Sequence, residues 1–179
     1  MRRANAMLPA LLSLAGCATL HATQQTTEAP AVAGATKFYL QPLQFAVSEP
    51  EEPRKWAAHV DQWQKAYVKG VRDYAQAKLG GREIVPLAAG QMVSDGIVVQ
   101  ASVSAIRRSN AGGFGTDHLQ GDVTFVDGGS GKPLLAAKVD ANSDRFGYEN
   151  WTAGGRMKFC SLNLAEGVVT AMRTGHFPQ

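Results

Sequence analysis

The strongest hydrophobic pattern in the chain has the period of an α-helix. Apolar side chains recur every three or four residues at Trp56, Val60, Trp63, Tyr67, Val71 and Tyr74. This spacing places them on one face of a helix of about 26 residues. Acidic residues and prolines in segment 49–53 suit the positive N-terminal end of that helix. Gly80 and Gly81 supply a stop at its C-terminal end.

A second helical pattern lies near the C-terminus, in segment 156–174. Its apolar positions are Met157, Cys160, Leu164, Val168 and Met172. Arg173 lies in the last turn and Gly175 follows as a stop signal. Because Cys160 falls on the apolar stripe, we predict a buried thiol that behaves as a small hydrophobic side chain.

The segments between these helices alternate with a period of two, which is typical of strands. We predict strands at 38–47, 83–86 and 97–107. Pro42 removes a ladder donor from the first of them, so that strand is either an edge strand or bent at this point. In the third, the positions predicted to share one face are Ile97, Val99, Ala101, Val103 and Ala105.

Segments 118–127 and 133–142 predict a β-hairpin, because a turn-forming sequence rich in glycine joins them. If Phe125 pairs with Leu135, all apolar side chains of the hairpin lie on one face. The same register sets Asp122 opposite Lys138 on the other face, as an opposite-charge pair. A slip of one residue loses both features, so the pattern predicts this register.

The order of elements is therefore β-α-(β)-β-β-β-α. It predicts an α+β fold with two layers, in which two helices cover one face of an antiparallel sheet. We expect one domain over residues 37–177, with a polar outer sheet face that includes His118, Asp122 and Lys138.

The N-terminus carries an export signal. Arg2 and Arg3 precede a short apolar core, about half the ~20 residues of a membrane-spanning helix. The core ends in Leu14-Ala15-Gly16-Cys17, the pattern of a bacterial lipobox. We predict a signal peptide over residues 1–16, cleavage after Gly16 and lipidation of Cys17; the alternative is a plain signal peptide with a chance cysteine.

Lipidation of Cys17 would attach the chain to a membrane by several acyl chains. Ala18 follows the cysteine, and in lipoproteins of Gram-negative bacteria a residue other than Asp there favours the outer membrane. The expected location is the outer membrane, facing the periplasm. Segment 18–36 is rich in Thr, Ala and Gln, so we predict a flexible tether of at most ~65 Å after the lipidated cysteine.

Composition and charge exclude several classes of protein. With 179 residues, 45% of them hydrophobic, the chain is globular and long enough for one domain. The net charge is +3, but two arginines belong to the export signal, which leaves the mature chain near +1. Since the basic residues form no cluster, we expect no nucleic-acid partner.

The sequence contains little that predicts catalysis. Gly-Ser-Gly-Lys at 129–132 resembles part of a phosphate-binding loop, but Val126 and Pro133 stand where glycine and Ser or Thr are required. The four histidines lack ligand spacing, so we predict neither a metal nor a cofactor. One alternative remains: His118 and Asp122 share the polar sheet face, with Asp140 expected on the neighbouring strand, and could form the site of a periplasmic hydrolase.

Two segments contain residue types that are enriched at protein interfaces. Segment 142–155 contributes Arg145, Phe146, Tyr148 and Trp151, and a glycine-rich segment at 111–115 contributes Phe114. We predict these five residues as possible partner contacts. The alternative is that the aromatic rings fold back over the core.

The chain resembles a group of bacterial envelope lipoproteins in four features taken together. They are the lipobox, the polar segment after it, the long helix and the turn Val126-Asp127-Gly-Gly-Ser-Gly-Lys-Pro-Leu. The group includes families of unknown function and relatives of the TolB N-terminal domain, of CsgG and of the auxiliary lipoproteins of ABC-type lipid transporters. The resemblance implies a non-enzymatic binding or assembly component of an envelope complex, whose partner is a protein, a lipid or a glycan. It assigns a role to no residue except Cys17.

Overall fold

The two amphipathic segments form helices that cover one face of a β-sheet. The computed structural model describes residues 20–27, 29–47, 53–107, 116–143 and 153–178. In chain order the elements are β1 (Leu20–Thr27), α1 (Ala29–Gly34), β2 (Lys37–Leu40), β3 (Gln44–Phe45), α2 (Pro53–Lys78), β4 (Glu83–Pro86), β5 (Ile97–Arg107), β6 (His118–Asp127), β7 (Pro133–Asn142) and α3 (Ala153–Thr174). Among the helices in these ranges, none is both long enough and apolar enough to cross a membrane.

The sheet has seven strands in the order β1-β7-β6-β5-β2-β4, with β3 paired to β5 beside this path. The pairs β5–β6, β6–β7 and β1–β7 are antiparallel, whereas β2 and β3 pair in parallel with β5, and β4 with β2. The predicted two-layer α+β fold is confirmed, but a wholly antiparallel sheet is wrong. Helix α2 returns the chain to the end from which β2 started, and segment 87–96 does the same before β5, so both connections give parallel strands.

The predicted strand at 38–47 is two strands. Residues 41–43 separate β2 from β3, which confirms the bend at Pro42. The edge position is wrong, because β2 lies between β4 and β5. The backbone N–H of Gln41 still donates to the carbonyl of Val99 at 3.0 Å, so the chain stays beside β5 across the bend.

The hairpin of β6 and β7 has the predicted register. Phe125 pairs with Leu135, and Asp122 lies opposite Lys138. In the turn, the carboxylate of Asp127 accepts hydrogen bonds from the backbone N–H and the hydroxyl of Ser130, both at 2.7 Å. These hydrogen bonds satisfy polar groups within the turn itself. The turn therefore closes the hairpin at the register that the hydrophobic alternation predicts.

A β-bulge interrupts β5 between Val103 and Ala105. Beyond the bulge, Ile106 pairs with Leu119 and packs against the core, while Ala105 pairs with Gln120. The prediction that Ala105 shares the core face is therefore wrong, because the extra residue reverses the alternation.

The core lies between the sheet and the two long helices. All five predicted apolar positions of α3 are buried, and Cys160 is fully buried, as predicted. From α2, Trp63, Tyr67 and Val71 are buried in the same core. The α2 and α3 backbones approach closely at Gly70, where an added Cβ would lie 2.9 Å from the Cβ of Ala165.

The predicted tether is wrong for most of its length. Residues 20–27 form the edge strand β1, which pairs with β7 from Leu20 opposite Ala141 to Thr27 opposite Leu135. Leu20 is only 2% exposed, and Val32 of α1 is fully buried. The polar composition was misleading because β1 is held largely by its backbone pairing with β7, and His21 and Thr23 on it are exposed. Cys17 and the predicted signal peptide lie outside the described residues.

Candidate functional site

The sheet face away from the helices carries the polar residues predicted for it. They come from β5, β6 and β7 and are half-buried or exposed: Gln100, Ser102, His118, Gln120, Asp122, Thr124, Lys138 and Asp140. His21, on the edge strand β1, lies on the same face and was not predicted there. Their side chains share this face because each strand buries its alternate residues against α2 and α3. This open face is the first of two candidate regions.

The open face contains a cluster around one carboxylate. His118 Nδ1 lies 2.7 Å from Asp140 Oδ1, and Gln120 Nε2 donates to Asp140 Oδ2 at 2.7 Å. Both carboxylate oxygens of Asp140 are therefore engaged. His21, on the edge strand β1, pairs in register with Asp140 and adds a second imidazole to this region. Sequence reasoning missed His21 because segment 18–36 was interpreted as a tether.

The hydrolase alternative matches this geometry only in part. The partner of His118 is Asp140, whereas Asp122 pairs in register with Lys138 and Ser102. A histidine oriented by a carboxylate is one component of a general base. The side chains of His118 and Asp140 are 35% and 26% exposed, so water reaches them on an open sheet face. Such a face lacks the dry, concave pocket in which most small-molecule sites are built.

A cavity of about 520 Å³ lies elsewhere, along the outer side of α2. Its lining includes two ion pairs between residues four apart on the helix, Asp61 with Lys65 and Lys69 with Asp73. These side chains are at least 59% exposed. Exposed pairs of this spacing are typical of a solvated helix face, and the cavity brings no catalytic group together.

The second candidate region is a buried polar cluster, which lies where β6 begins and β7 ends. Asp117 is fully buried and accepts a hydrogen bond from Arg156 Nε at 3.0 Å. Ser143 Oγ accepts from the Asp117 backbone N–H at 2.9 Å, and the Cys160 thiol lies 3.3 Å from the Asp117 carbonyl oxygen. Nearby, Asn163 Nδ2 donates to the carbonyl of Asn142 at 2.5 Å. The cluster joins the ends of two strands to the first turns of α3.

The residues predicted as partner contacts belong to two segments that adjoin residues of this cluster in the sequence. The described residues do not include any of these five: Phe114, Arg145, Phe146, Tyr148 and Trp151. Their role as contacts stays a prediction. The buried pair of Asp117 and Arg156 was not predicted, because sequence spacing cannot show that two charges 39 positions apart meet in the core.

The opposite end of the sheet carries a smaller electrostatic cluster. The Tyr39 hydroxyl donates to Asp95 Oδ1 at 2.6 Å, and Lys37 Nζ lies 3.1 Å from Asp95 Oδ2 and 4.8 Å above the Tyr39 ring. Tyr39, Leu87 and Val98 form a small buried apolar cluster here. The hydrogen bond from Tyr39, and then that from Lys37, holds the pKa of the Asp95 carboxyl below its usual range.

This geometry predicts the effect of Tyr39→Phe. Removing the hydroxyl should raise the pKa of Asp95 toward its ordinary value, because the largest stabilisation of the charged form is lost. A lowered carboxyl pKa favours folding above the unfolded-state value, and that contribution disappears as pH falls through the folded-state value. Carboxyl ¹³C chemical shifts followed during a pH titration would measure the change.

Asp127 is an internal control in the same titration. Its pKa is also lowered, by the hydroxyl and then the backbone N–H of Ser130, and Tyr39 makes no contribution to it. The pKa of Asp127 should therefore stay the same in Tyr39→Phe. An unchanged pKa of Asp95 would mean that the Tyr39–Asp95 hydrogen bond does not form in solution.

Within the described ranges, no group of three or more His, Cys, Asp or Glu side chains could hold a metal ion. No protein-family model matches the chain, and no curated protein is significantly similar to it in sequence. Solved structures do match. One is a PelC variant dodecamer from Paraburkholderia phytofirmans, at 14% identity and a TM-score of 0.53, covering 88% of this chain and 99% of that one.

A second similar structure is protein XCC0632 from Xanthomonas campestris, assigned to the DUF330 family. It is 10% identical and covers 80% of this chain and 87% of its own, with a TM-score of 0.46. Of the two, PelC exceeds a TM-score of 0.5 and extends over nearly its whole chain. At 14% identity this likeness establishes a shared fold and leaves function to be argued separately.

Proposed function

We propose that this chain is an outer-membrane lipoprotein, attached through acyl chains on Cys17, whose domain is a non-enzymatic assembly component of an envelope complex. The observation that carries the proposal is the likeness to PelC, whose solved form is a dodecamer and whose chain is matched over 99% of its length. The lipobox at Leu14-Ala15-Gly16-Cys17 supports the anchoring independently. The proposal includes self-association, as in PelC.

The described surfaces suit protein contacts better than catalysis. The open face presents polar side chains over four strands, and its small apolar cluster of Tyr39, Leu87 and Val98 packs against Val93 of segment 87–96. An open sheet also ends in two edge strands, β1 and β4. Such edges and flat polar faces are the surfaces through which subunits of one kind can associate.

The hydrolase alternative rests on the hydrogen bond between His118 and Asp140. If the domain were a hydrolase using this pair, His118→Ala would abolish a measured activity while leaving the fold intact. Unchanged activity in that variant would exclude the site. We favour the assembly function because the His118 and Asp140 side chains are on an open face and no nucleophile is hydrogen-bonded to the imidazole within the described residues.

The test of the anchoring is Cys17→Ala in the full chain with its own signal peptide. The wild-type protein should fractionate with the outer membrane, and its mature N-terminus should carry the diacylglycerol and acyl mass. Cys17→Ala should lose both, because no other group can accept the lipid. Cys160→Ala is the matched control: that cysteine is buried on α3, so the variant should remain in the membrane fraction.

The same detergent-solubilised sample tests the assembly function. Light scattering after size-exclusion chromatography should give a protein mass several times that of one mature chain, which is lighter than the 19.0 kDa of the full sequence. Outer-membrane fractionation of Cys17→Ala would contradict the anchoring. A monomer at micromolar concentration, with no partner recovered by crosslinking in the native envelope, would contradict the assembly function.

A further inference from the structure

We infer that the domain stands directly on the bilayer, with one defined end of the sheet toward the lipid headgroups. This inference rests on the proposed lipidation of Cys17 and adds to it the orientation of the domain. It follows from the chain length between the lipid and the first fixed residue, from the sheet register, and from the charges at each end.

The connection between anchor and domain is short. Only Ala18 and Thr19 separate Cys17 from Leu20. Three Cα–Cα steps span at most about 11 Å. Leu20 is fixed in position: it pairs with Ala141, is 2% exposed, and its side chain fills the space beside Gly167 of α3. A domain held this closely cannot turn freely about its anchor.

The register identifies which end of the sheet is held. Leu20 pairs with Ala141, Ala141 with Leu119, and Leu119 with Ile106. The proximal end therefore consists of the start of β1, the end of β7, the start of β6 and the end of β5. The distal end is the β6–β7 turn at 128–132, which ten-residue strands place about 30 Å further from the bilayer if they stand upright.

The charges at the proximal end match an anionic headgroup surface. Two described carboxylates lie there and both are engaged, Asp117 by Arg156 and Asp140 by His118 and Gln120. The end of β5 contributes the exposed Arg107, and the second turn of α3 contributes the half-buried Lys158. The distal end carries Asp95 and Asp127 together with Lys37, which is ion-paired with Asp95, and the exposed Lys132, so these described charges balance. Cationic side chains next to a negatively charged membrane are attracted to it.

Two matched variants test the orientation: Ser104→Cys near the proximal end and Ser130→Cys in the distal turn. Both serines are exposed, and neither substitution changes a charge. Each full-length lipidated variant, labelled with a thiol-reactive fluorophore, is placed in vesicles of zwitterionic and anionic phospholipid with nitroxide-labelled headgroups. Cys160 is buried and should not react in the folded protein. We expect quenching at position 104 to exceed quenching at position 130 several-fold.

Equal quenching, or stronger quenching at position 130, would overturn the orientation. Flotation of the same vesicles separates this result from failure of the anchor. Protein that does not float refutes lipidation and the orientation with it, whereas floating protein with equal quenching refutes the orientation alone. Inserting ten Gly/Ser residues between Thr19 and Leu20 should retain flotation and reduce quenching at position 104. Unchanged quenching at position 104 after the insertion would mean that the short connection does not determine the orientation of the domain.

Discussion

Gly121→Ala is expected to lower the free energy of unfolding by more than ~4 kcal/mol or to prevent folding, an exceptional loss for a single methyl group. A Cβ at this position would lie 1.8 Å from the carbonyl oxygen of Ser102 and 3.0 Å from the Cα of Val103. Both atoms belong to the backbone of β5, which pairs on its other side with β2 and β3. The clash therefore cannot be relieved by rotating a side chain. Urea unfolding followed by far-UV circular dichroism measures the loss.

Gly34→Ala is the matched control for this substitution. An added Cβ at Gly34 meets no atom within 4 Å among the described residues, and its φ is not positive. Its midpoint should shift by no more than the equivalent of about 0.5 kcal/mol. A Gly121→Ala protein with the wild-type midpoint would show that β5 does not approach Gly121 as closely as the bulge requires.

Gly121 also shows how far sequence could predict this fold. Hydrophobic alternation predicts the β6–β7 register, because slipping by one residue would expose Leu119 and Phe125. It does not predict the bulge in β5. The bulge depends on the absence of a side chain at Gly121 in another strand, and a single residue reverses the face of Ala105 and Ile106.

The sequence pattern could not predict the edge strand β1 or the parallel strand pairs, for a different reason. The direction of β2 and β4 depends on where α2 and segment 87–96 return the chain, and this is a property of the whole topology. β1 has no continuous apolar pattern, and its partner β7 is more than a hundred residues away. The proposed lipidation site at Cys17 is therefore closer to the folded domain along the chain than a composition-based interpretation of segment 18–36 predicts.

The candidate sites, like the fold, could be predicted from the sequence only in part. The alternation of β6 and β7 places His118, Asp122 and Asp140 on one face, as predicted. Which carboxylate meets the imidazole depends on diagonal side-chain geometry across two strands, and the structure pairs His118 with Asp140. The buried ion pair joins a residue before β6 to the first turn of α3, and no periodicity marks either residue.

The second large predicted effect concerns the buried ion pair of Asp117 and Arg156. Asp117→Ala or Arg156→Ala should each lower the free energy of unfolding by about 3–5 kcal/mol, because either change removes one partner of a buried ion pair. The side chains of Arg156 and Asp117 are 9% and 0% exposed, so water cannot replace the missing partner without local opening. Chemical unfolding of the purified variants measures both losses.

Lys65→Ala provides the control, because it breaks an ion pair with Asp61 whose side chains are 75% and 71% exposed. This change should cost less than about 0.5 kcal/mol.

The double variant decides how the buried pair stabilises the fold. If most of each loss comes from the charge left behind, Asp117→Ala combined with Arg156→Ala should cost clearly less than the sum of the single losses. Additive losses would mean that the two side chains stabilise the junction through separate contacts. The junction of β6, β7 and α3 would open in the single variants before the hairpin does. Hydrogen exchange should therefore rise first at Ser143, whose N–H donates to the Asp117 carbonyl, and later at Phe125 in the hairpin.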